Sequence, residues 1–310
     1  MTDPAIDNVA VMGAGAVGCY FGGMLARAGA AVRLIGRPAL VEAVGRDGLR
    51  FDGVEFSGHI PMAATTDPAG VAGADLVLFC VKSADTAAAA QAMAPHLSPG
   101  AIVLDLQNGI DNFERIRAVV TNTVVPAVVY VSAEIAAPGA LRHNGRGDLV
   151  IGEAGARQVG DALLAALAAR LTAMKVPVRV SDNVAGELWW KLVVNCAYNA
   201  VSAIGHARYG TMMAILPVRQ VMSDAVREIT ALAEAKGVRL DVPDPVEAVL
   251  RFGDAMPQAM SSTAQDVARG RPTEIDHLNG YVVRECEARG LPVPVNRTLW
   301  ALVKLIGQAG

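Results

Sequence analysis

The 310-residue chain is poor in cysteine, histidine and aromatic residues. Its cysteines lie far apart, and neither they nor the five histidines show the spacing of a metal site; the cysteines are Cys19, Cys80, Cys196 and Cys286. We therefore expect no bound metal. Isolated thiols packed as small apolar groups are typical of proteins in a reducing compartment, which favours the cytoplasm.

An excess of charge of one sign is also missing, because 27 basic and 30 acidic residues leave a net charge of −3. Nothing in this balance indicates nucleic acid or an anionic membrane surface as a partner. No apolar run reaches the length of a membrane span, and the start Met1–Asp7 lacks the basic segment and apolar core of a signal peptide. A chain of this length, 53 % hydrophobic, suffices for two domains with cores of their own.

The first half of the chain alternates apolar runs with helix-forming stretches such as Thr86–Met93. This alternation predicts a parallel sheet with helices on both faces. The predicted strands are Val9–Met12, Ala31–Ile35, Leu76–Val81, Ile102–Leu106 and Val124–Val131, with antiparallel additions at Phe51–Ile60 and Leu141–Ile151. Pro126 interrupts one of these runs and indicates an edge strand or a bulge there.

Past Asn183 the pattern predicts helices alone, at Glu187–His206, Pro217–Lys236, Pro245–Met256, Glu274–Arg289 and Thr298–Ile306. We therefore predict an α/β protein with a Rossmann-type N-terminal domain and a mainly parallel sheet over residues 1–182. An all-α C-terminal domain follows over residues 183–310. In such folds ligands bind at the carboxyl ends of the strands, so we expect the active site there, in a cleft between the domains.

The most informative motif follows the first predicted strand directly and opens a helix-forming run; it consists of Gly13, Ala14, Gly15, Ala16, Val17 and Gly18. Strand, glycine turn and helix in this order indicate a site for the pyrophosphate of a dinucleotide. Gly13 allows the tight turn, Gly15 lets the pyrophosphate approach the backbone, and Gly18 lets the helix pack close to the strand. The N–H groups and the dipole at the helix N-terminus favour the phosphate charge.

The end of the second predicted strand bears on the choice of nicotinamide cofactor. NAD sites usually carry an acidic residue here for the ribose 2′-hydroxyl, whereas this chain has Gly36 and Arg37. An arginine fork matches a phosphate group bidentately, so we expect NADPH rather than NADH, with Arg37 on the 2′-phosphate. The alternative is that Arg37 is an ordinary surface arginine.

A polar stripe crosses the apolar helix predicted at Glu187–His206. Lys191, Asn195 and Asn199 recur at intervals of four residues, so they share one helix face. Asparagine is costly to bury without partners, and a polar substrate would supply them. Partners within the protein stay open as well, since Glu187 could pair with Lys191, and the asparagines could bond to the backbone of the other domain.

With several further blocks in the same order, these residues resemble the ketopantoate reductase (2-dehydropantoate 2-reductase) family over essentially the whole chain. The further blocks are Val81–Ser83, Gln107–Gly109, Trp189–Leu192, Ser261–Asp266 and Thr273–Asp276. The last two blocks and the lysine–asparagine helix are much more specific than the glycine motif. The resemblance implies the 6-phosphogluconate-dehydrogenase-like fold and the NADPH-dependent reduction of ketopantoate to pantoate, on the route to pantothenate and coenzyme A.

The resemblance also implies roles for individual residues. Lys191 resembles the catalytic lysine of the family, and Glu274 its acidic partner near the nicotinamide ribose and the reacting centre. The implied cofactor contacts are the six residues of the glycine motif, Arg37, Lys82, Asn108 and Glu274; the implied substrate contacts are Asn108, Lys191, Asn195, Asn199 and Ser262. Ser262 could equally cap the helix that follows it, and Glu274 could favour a helix dipole.

Hydride delivery to a ketone leaves charge on the former carbonyl oxygen, where a lysine ammonium could donate the proton. The leading hypothesis is therefore an NADPH-dependent reductase whose partner is a small 2-keto acid. Two alternatives remain, a related reductase of another 2-keto or 3-hydroxy acid and a nucleotide-binding sensor without turnover. The helical domain could also pair with a copy of itself to form a homodimer.

Overall fold

The computed structural model describes residues 6–154 and 159–307, and the chain divides into two units, Met1–Val184 and Ala185–Gly310. Within the described residues of the first unit, ten strands form one sheet. They are β1 (Asn8–Met12), β2 (Ala31–Ile35), β3 (Leu49–Asp52), β4 (Ser57–Ile60), β5 (Ala63–Thr65), β6 (Leu76–Phe79), β7 (Ile102–Asp105), β8 (Thr123–Ala137), β9 (Ala140–Gly152) and β10 (Val178–Ser181).

The strand order is β4-β3-β9-β8-β7-β6-β1-β2-β5, and β10 pairs with β9. The pairs from β8 to β5 are all parallel, whereas β8 with β9 and β3 with β4 are antiparallel. The helices of this unit are α1 (Ala16–Arg27), α2 (Pro38–Asp47), α3 (Thr86–Met93), α4 (Asn112–Arg117) and α5 (Asp161–Ala173). The predicted Rossmann-type fold with a mainly parallel sheet is confirmed.

Both faces of the sheet are covered, which is why the central strands are apolar throughout. On β1, Val9 and Val11 join one buried cluster whereas Ala10 and Met12 join another. The two clusters lie on opposite faces, because successive side chains of a strand point to opposite sides.

The interpretation of Pro126 as a sign of an edge strand or a bulge was wrong. β8 is an interior strand, paired with β7 through residues 123–126 and with β9 from Ala127 onward. Pro126 lies where the strand changes from one partner to the other, so its missing N–H interrupts neither ladder. The irregular positions of β8 come later, the first of them between Tyr130 and Val131.

The described residues of the second unit contain helices and no strand. Its helices are α6 (Val184–Gly205), α7 (Tyr209–Met213), α8 (Leu216–Ala235), α9 (Pro245–Ala255), α10 (Ser262–Ala268), α11 (Asn279–Glu287) and α12 (Pro294–Ile306). The one long helix predicted at Glu274–Arg289 is wrong. A 3₁₀ turn at Ile275–His277 precedes α11, and Leu278 separates them with a non-helical backbone (φ −110°, ψ −103°).

Helix α6 carries much of the core of the second unit. Alanines of α6 pack with α10, with Ile275 and with the apolar face of α12; the cluster contains Ala200, Ala203, Ala225, Ala264, Ile275, Leu299 and Val303. Small side chains on α6 let these elements approach its backbone closely. Among residues 6–154 and 159–307, no helix combines the length and the hydropathy that crossing a membrane requires.

Candidate active site

The glycine turn between β1 and α1 is fixed by backbone contacts. Gly13 has a φ of +103°, and a Cβ there would lie 2.5 Å from the backbone nitrogen of Val81. A Cβ on Gly18 would lie 2.5 Å from the Gly13 oxygen and 2.6 Å from Val11 Cγ1. Only glycine fits either position without a shift of backbone, so the turn and the close approach of helix to strand follow from the sequence.

Gly15 differs from the other two glycines of the turn. It is exposed with an ordinary φ of −85°, and a Cβ there would meet no atom within 4 Å. The open space therefore lies where a pyrophosphate would approach the N-terminus of α1, whose first N–H groups have no partner within the helix. The first turn of α1 contains no acidic residue that would repel a phosphate. This cradle fits a dinucleotide.

Arg37 lies beside the glycine turn. The backbone N–H groups of Gly13 and Ala14 donate to the carbonyl oxygen of Ile35 at 3.1 and 3.0 Å, and a Cβ on Gly36 would lie 3.0 Å from Ala14 Cβ. Arg37 itself is exposed at the N-cap of α2, and its side chain has no hydrogen bond or ion pair to the described residues. The first turn of α2 is also free of acidic residues. A phosphate bound here would meet both the guanidinium and a helix N-terminus.

Lys82 and Asn108 follow neighbouring strands, β6 and β7, which pair in parallel. Lys82 is exposed, and Asn108 is half-buried. The carbonyl oxygen of Asn108 accepts hydrogen bonds from Ser83 Oγ at 3.0 Å and from Asn112 Nδ2 at 2.7 Å. With the turn after β1 and Arg37 after β2, the candidate cofactor residues therefore occupy the carboxyl edge of four adjacent strands.

A buried polar network holds the loops that carry Lys82 and Asn108. Gln107 Nε2 donates to the Val81 oxygen and to Thr86 Oγ1, both at 2.8 Å. Thr86 Oγ1 donates in turn to Asn112 Oδ1 at 3.0 Å. The sequence singles out Gln107 to Gly109 only as one block of the family resemblance and does not show this network, because its contacts join residues that are 21–26 positions apart.

Asp105, at the end of β7, is a buried carboxyl next to this network. Burial raises its pKa to about 7, and the neighbouring charge of Asp111 adds to the rise, against a hydrogen bond from the backbone N–H of Gln107. Burial also raises the pKa of the Cys19 thiol to about 12 and that of the Cys80 thiol well above its ordinary value. A raised pKa keeps both thiols in the protonated form, and the buried Cys19 serves as a packing group of α1.

In the second unit, the lysine–asparagine stripe lies on α6 as the spacing predicts. Lys191 and Asn195 are half-buried, and Asn199 is buried. Trp189, next to the stripe, is buried and packs edge-on against Tyr281 at 6.4 Å between ring centroids. A lysine and two amides on a largely apolar helix can donate a proton and hydrogen-bond a small polar molecule.

Ser262 lies next to the stripe, but it is not the helix cap. It is exposed as the first residue of α10, whereas Ser261 is buried at the N-cap, where Ser261 Oγ accepts from the Ala264 N–H at 3.1 Å. Ser261 Oγ also donates to the Asn199 oxygen at 3.3 Å. The capping role considered for Ser262 was therefore wrong by one residue, and Ser261 holds Ser262 close to α6.

Glu274 is half-buried and directly precedes the 3₁₀ turn, where its carbonyl oxygen accepts from the His277 N–H at 2.9 Å. Asp276, two residues on, accepts hydrogen bonds from Trp300 Nε1 and Lys304 Nζ, both at 2.7 Å. Burial by itself raises the pKa of Asp276, but these hydrogen bonds bring it below its ordinary value. The segment that carries Glu274 is thereby fastened to α12.

No group of three or more His, Cys, Asp or Glu side chains that could hold a metal ion occurs in the described part of the chain. A Rossmann sheet with a glycine turn of this type, followed by a helical unit, defines the class of the protein as a NAD(P)-dependent oxidoreductase. Residues 9–156 match the family described as Ketopantoate reductase PanE/ApbA, and residues 183–307 match its C-terminal counterpart. The chain belongs to the ketopantoate reductase family.

Individual relatives agree with this assignment. The 2-dehydropantoate 2-reductase of Halobacterium salinarum is 35 % identical over 98 % of this chain and 100 % of its own length. The crystal structure of a PanE/ApbA family ketopantoate reductase from Ralstonia eutropha JMP134 superimposes with a TM-score of 0.91 at 52 % identity, covering 97 % of this chain and 99 % of that one. The predicted family, fold class and oxidoreductase assignment are confirmed.

An enzyme that is named for a different substrate has the same fold. D-mandelate dehydrogenase, solved with NADH and anilino(oxo)acetate, has a TM-score of 0.91 but only 24 % identity, over 97 % of this chain and 99 % of that one. At this identity the likeness concerns the fold alone, since one fold hosts many substrates.

Proposed function

We propose that the chain catalyses the NADPH-dependent reduction of 2-dehydropantoate (ketopantoate) to pantoate, on the route to pantothenate and coenzyme A. The observation that carries this proposal is a pair of hydrogen bonds to the backbone of α6, the helix that bears Lys191. Ser261, next to Ser262, donates to the Asn199 oxygen, and Asn279, five residues after Glu274, donates to the Cys196 oxygen. Full-length similarity to curated 2-dehydropantoate 2-reductases supports the same substrate.

Residues 1–182 serve as the NADP-binding domain in this proposal, and residues 183–310 as the substrate and catalytic domain. When bound, NADPH supplies the hydride. The glycine turn receives the pyrophosphate, Arg37 the 2′-phosphate, and Lys82, Asn108 and Glu274 the nicotinamide half of the cofactor. The choice of NADPH over NADH rests on the exposed guanidinium of Arg37 beside a helix N-terminus that lacks acidic residues.

Lys191 is the proton donor. Its ammonium group stabilises the charge that develops on the former carbonyl oxygen and transfers a proton to that oxygen. Glu274 orients the ammonium group, in the manner of a third group that positions a catalytic pair. Asn108, Asn195, Asn199 and Ser262 bind the carboxylate and the hydroxyl of the substrate through neutral donors and acceptors.

Two further proposals accompany this function. Three of the four free thiols are buried, which fits a reducing compartment, and the cytoplasm is the proposed location. The proposed assembly is a homodimer, and light scattering of the purified chain separates it from a monomer.

The function is tested by following the oxidation of NADPH and of NADH against a panel of 2-keto acids that includes 2-dehydropantoate. We expect the highest kcat/KM with 2-dehydropantoate and NADPH. A higher kcat/KM with another 2-keto acid would keep the reaction class and replace the substrate. Binding of NADPH without turnover of any acid would indicate a nucleotide sensor and contradict the proposal.

A further inference from the structure

Asn279, the first residue of α11, is completely buried. Its side-chain nitrogen donates to the carbonyl oxygen of Cys196 on α6 at 3.1 Å and to Asn296 Oδ1 on α12 at 2.9 Å. Asn279 Oδ1 is buried without a hydrogen-bond partner. The amide group therefore leaves one buried oxygen unpaired, which costs stability, while its two N–H donors hold α6 and α12.

The second acceptor belongs to a chain of buried hydrogen bonds. Asn296 is also completely buried, and its side-chain nitrogen donates to Glu228 Oε2 at 2.7 Å and to the Ala225 oxygen at 3.1 Å, both on α8. The backbone N–H of Asn296 donates to the same carboxylate oxygen at 2.9 Å. Asn279 therefore joins α6 to α12 and, through Asn296, to α8.

The chain between Glu274 and Asn279 is closely packed and hydrogen-bonded. Between them lies the 3₁₀ turn with buried Ile275, and Asp276 is held by two side chains of α12. On the other side, a Cβ on Gly280 would lie 2.9 Å from Trp300 Nε1, so α11 is packed tightly against α12. We therefore expect a displacement of Asn279 to reach Glu274, which lies five residues earlier.

The first acceptor is on α6, the helix that carries the lysine–asparagine stripe. The carbonyl of Cys196 follows Asn195 directly and lies between Lys191 and Asn199 along α6. A hydrogen bond to this carbonyl fixes the axial position of α6 relative to the Glu274 segment. One residue of a helix rises 1.5 Å, and a misplacement of about 1 Å at reacting groups can lower a rate by about 100-fold.

We propose that Asn279 is a positioning residue that holds Glu274 in register with Lys191 through the carbonyl of Cys196. This inference rests on the proposed function for its kinetic consequence. Its structural consequence, the immobility of the Glu274 segment, stands apart from any activity.

The test compares the parent chain with Asn279→Ala and Asn279→Ser. For Asn279→Ala we expect kcat to fall about 10- to 100-fold while the KM for NADPH changes by less than about threefold, because Glu274 is the one proposed cofactor contact that moves and those of the first unit are untouched. The hydroxyl of Asn279→Ser keeps one donor, so we expect an intermediate kcat. If the alanine variant does not fold, the serine variant carries the test.

The matched control is Tyr198→Phe. It removes another buried hydrogen bond of α6, from Tyr198 Oη to the Val249 oxygen at 2.7 Å. Positions 196 and 198 differ by about 200° around the helix, so this bond lies on the other side of α6 from Asn279. We expect Tyr198→Phe to keep kcat within about twofold, since losing one buried hydrogen bond does not move Glu274.

A double-mutant cycle with Glu274→Gln separates positioning from general loss of structure. If Asn279 acts through Glu274, Asn279→Ala changes kcat by less than about threefold in the Glu274→Gln background. Independent effects that multiply would overturn the proposal, as would an unchanged kcat in a folded Asn279→Ala variant or an equal loss in Tyr198→Phe.

Backbone hydrogen exchange gives a readout that needs no turnover. In Asn279→Ala the amides of residues 273–278 should exchange at least about tenfold faster, whereas those of α1 keep their rates. If the parent chain fails to reduce 2-dehydropantoate, the proposed function fails, and the exchange measurement still decides this inference. Unchanged exchange at residues 273–278 would refute it.

Discussion

The glycine turn and Arg37 of the first unit are held by other means than the candidate residues of the second unit. In the first unit the glycine turn and Arg37 are fixed by backbone groups of one strand–helix–strand segment, such as the N–H of Gly13 on the Ile35 oxygen. In the second unit, side chains distant in sequence hold the site. The hydrogen bond from Ser261 to α6 joins residues 62 positions apart, and that from Asn279 to α6 joins residues 83 positions apart. The glycine turn and Arg37 thus form a local structure. The loops of Lys82 and Asn108 and the candidate residues of the second unit depend on tertiary packing.

Variants of the two units should therefore differ in what they impair. A local backbone turn tolerates changes elsewhere in the protein, because its geometry is set by glycine conformations and strand pairing. A site assembled by buried side-chain hydrogen bonds fails when any one of several distant elements shifts. Apart from Glu274, which is also a proposed cofactor contact, variants in the second unit should lower kcat and leave cofactor binding intact. Variants in the glycine turn should weaken cofactor binding and leave kcat nearly unchanged.

The largest effect is expected for Lys191→Ala. Loss of the proton donor should lower kcat by about 10²- to 10⁴-fold, while the dissociation constant of NADPH changes little. Steady-state kinetics with 2-dehydropantoate and fluorescence titration with NADPH measure the two quantities. The control is Lys236→Ala, which removes another partly buried lysine of the second unit, paired with Glu285. Near-normal turnover of Lys191→Ala would contradict the mechanism.

The glycine turn offers a matched pair of variants. Gly13→Ala places a Cβ at φ +103° and 2.5 Å from the Val81 nitrogen, so it should destabilise the fold by about 3 kcal/mol or more. Gly15→Ala meets nothing within 4 Å and should keep the parent stability while raising the KM for NADPH, because the methyl group enters the pyrophosphate space. Thermal unfolding and kinetics separate them, and equal melting temperatures would show that backbone contacts do not fix the turn.

The same contrast explains what the sequence could and could not predict. The glycine turn, α3 and the stripe on α6 were predicted within a residue or two, because glycine spacing and helical periodicity are local signals. Ser261 and Asn279 were missed as site residues, since a buried cap and a buried amide resemble ordinary turn residues in the sequence. Asn279 precedes Gly280, a pair that usually indicates a turn, and only the packed helices show what its amide holds.

Arg37→Ala tests the preference for NADPH over NADH, and we expect a smaller effect than for Lys191→Ala or Gly13→Ala. Loss of a bidentate contact to a phosphate should raise the KM for NADPH by about 10- to 100-fold, or about 1.4–2.7 kcal/mol, with little change for NADH. Arg46→Ala, at the other end of α2, is the control, because that arginine is exposed and pairs with Asp47. Equal changes for the two cofactors would show that Arg37 does not contact the 2′-phosphate.

Asp105→Asn tests whether ionisation of Asp105 in the first unit destabilises the fold, whereas ionisation of Asp276 in the second unit stabilises it. The pKa of Asp105 is raised to about 7, so between about pH 4 and pH 7 the folded chain keeps a proton that the unfolded chain has lost. Stability from this group therefore declines as pH rises through that window. Asparagine keeps the oxygen that accepts from the Gln107 N–H and carries no charge.

The free energy of unfolding of Asp105→Asn, relative to the parent, should be about 1–2 kcal/mol more favourable at pH 8 than at pH 5. Each pKa unit corresponds to about 1.36 kcal/mol, and we expect relaxation of the structure around the charged carboxylate to reduce the full difference. Asp276→Asn should instead be less stable than the parent at pH 8, because hydrogen bonds lower the pKa of Asp276 and favour its charged form. Urea unfolding at both pH values measures these differences. Destabilisation of Asp105→Asn at pH 8 would mean that the charged carboxylate is paired, and that both units stabilise their carboxylates alike.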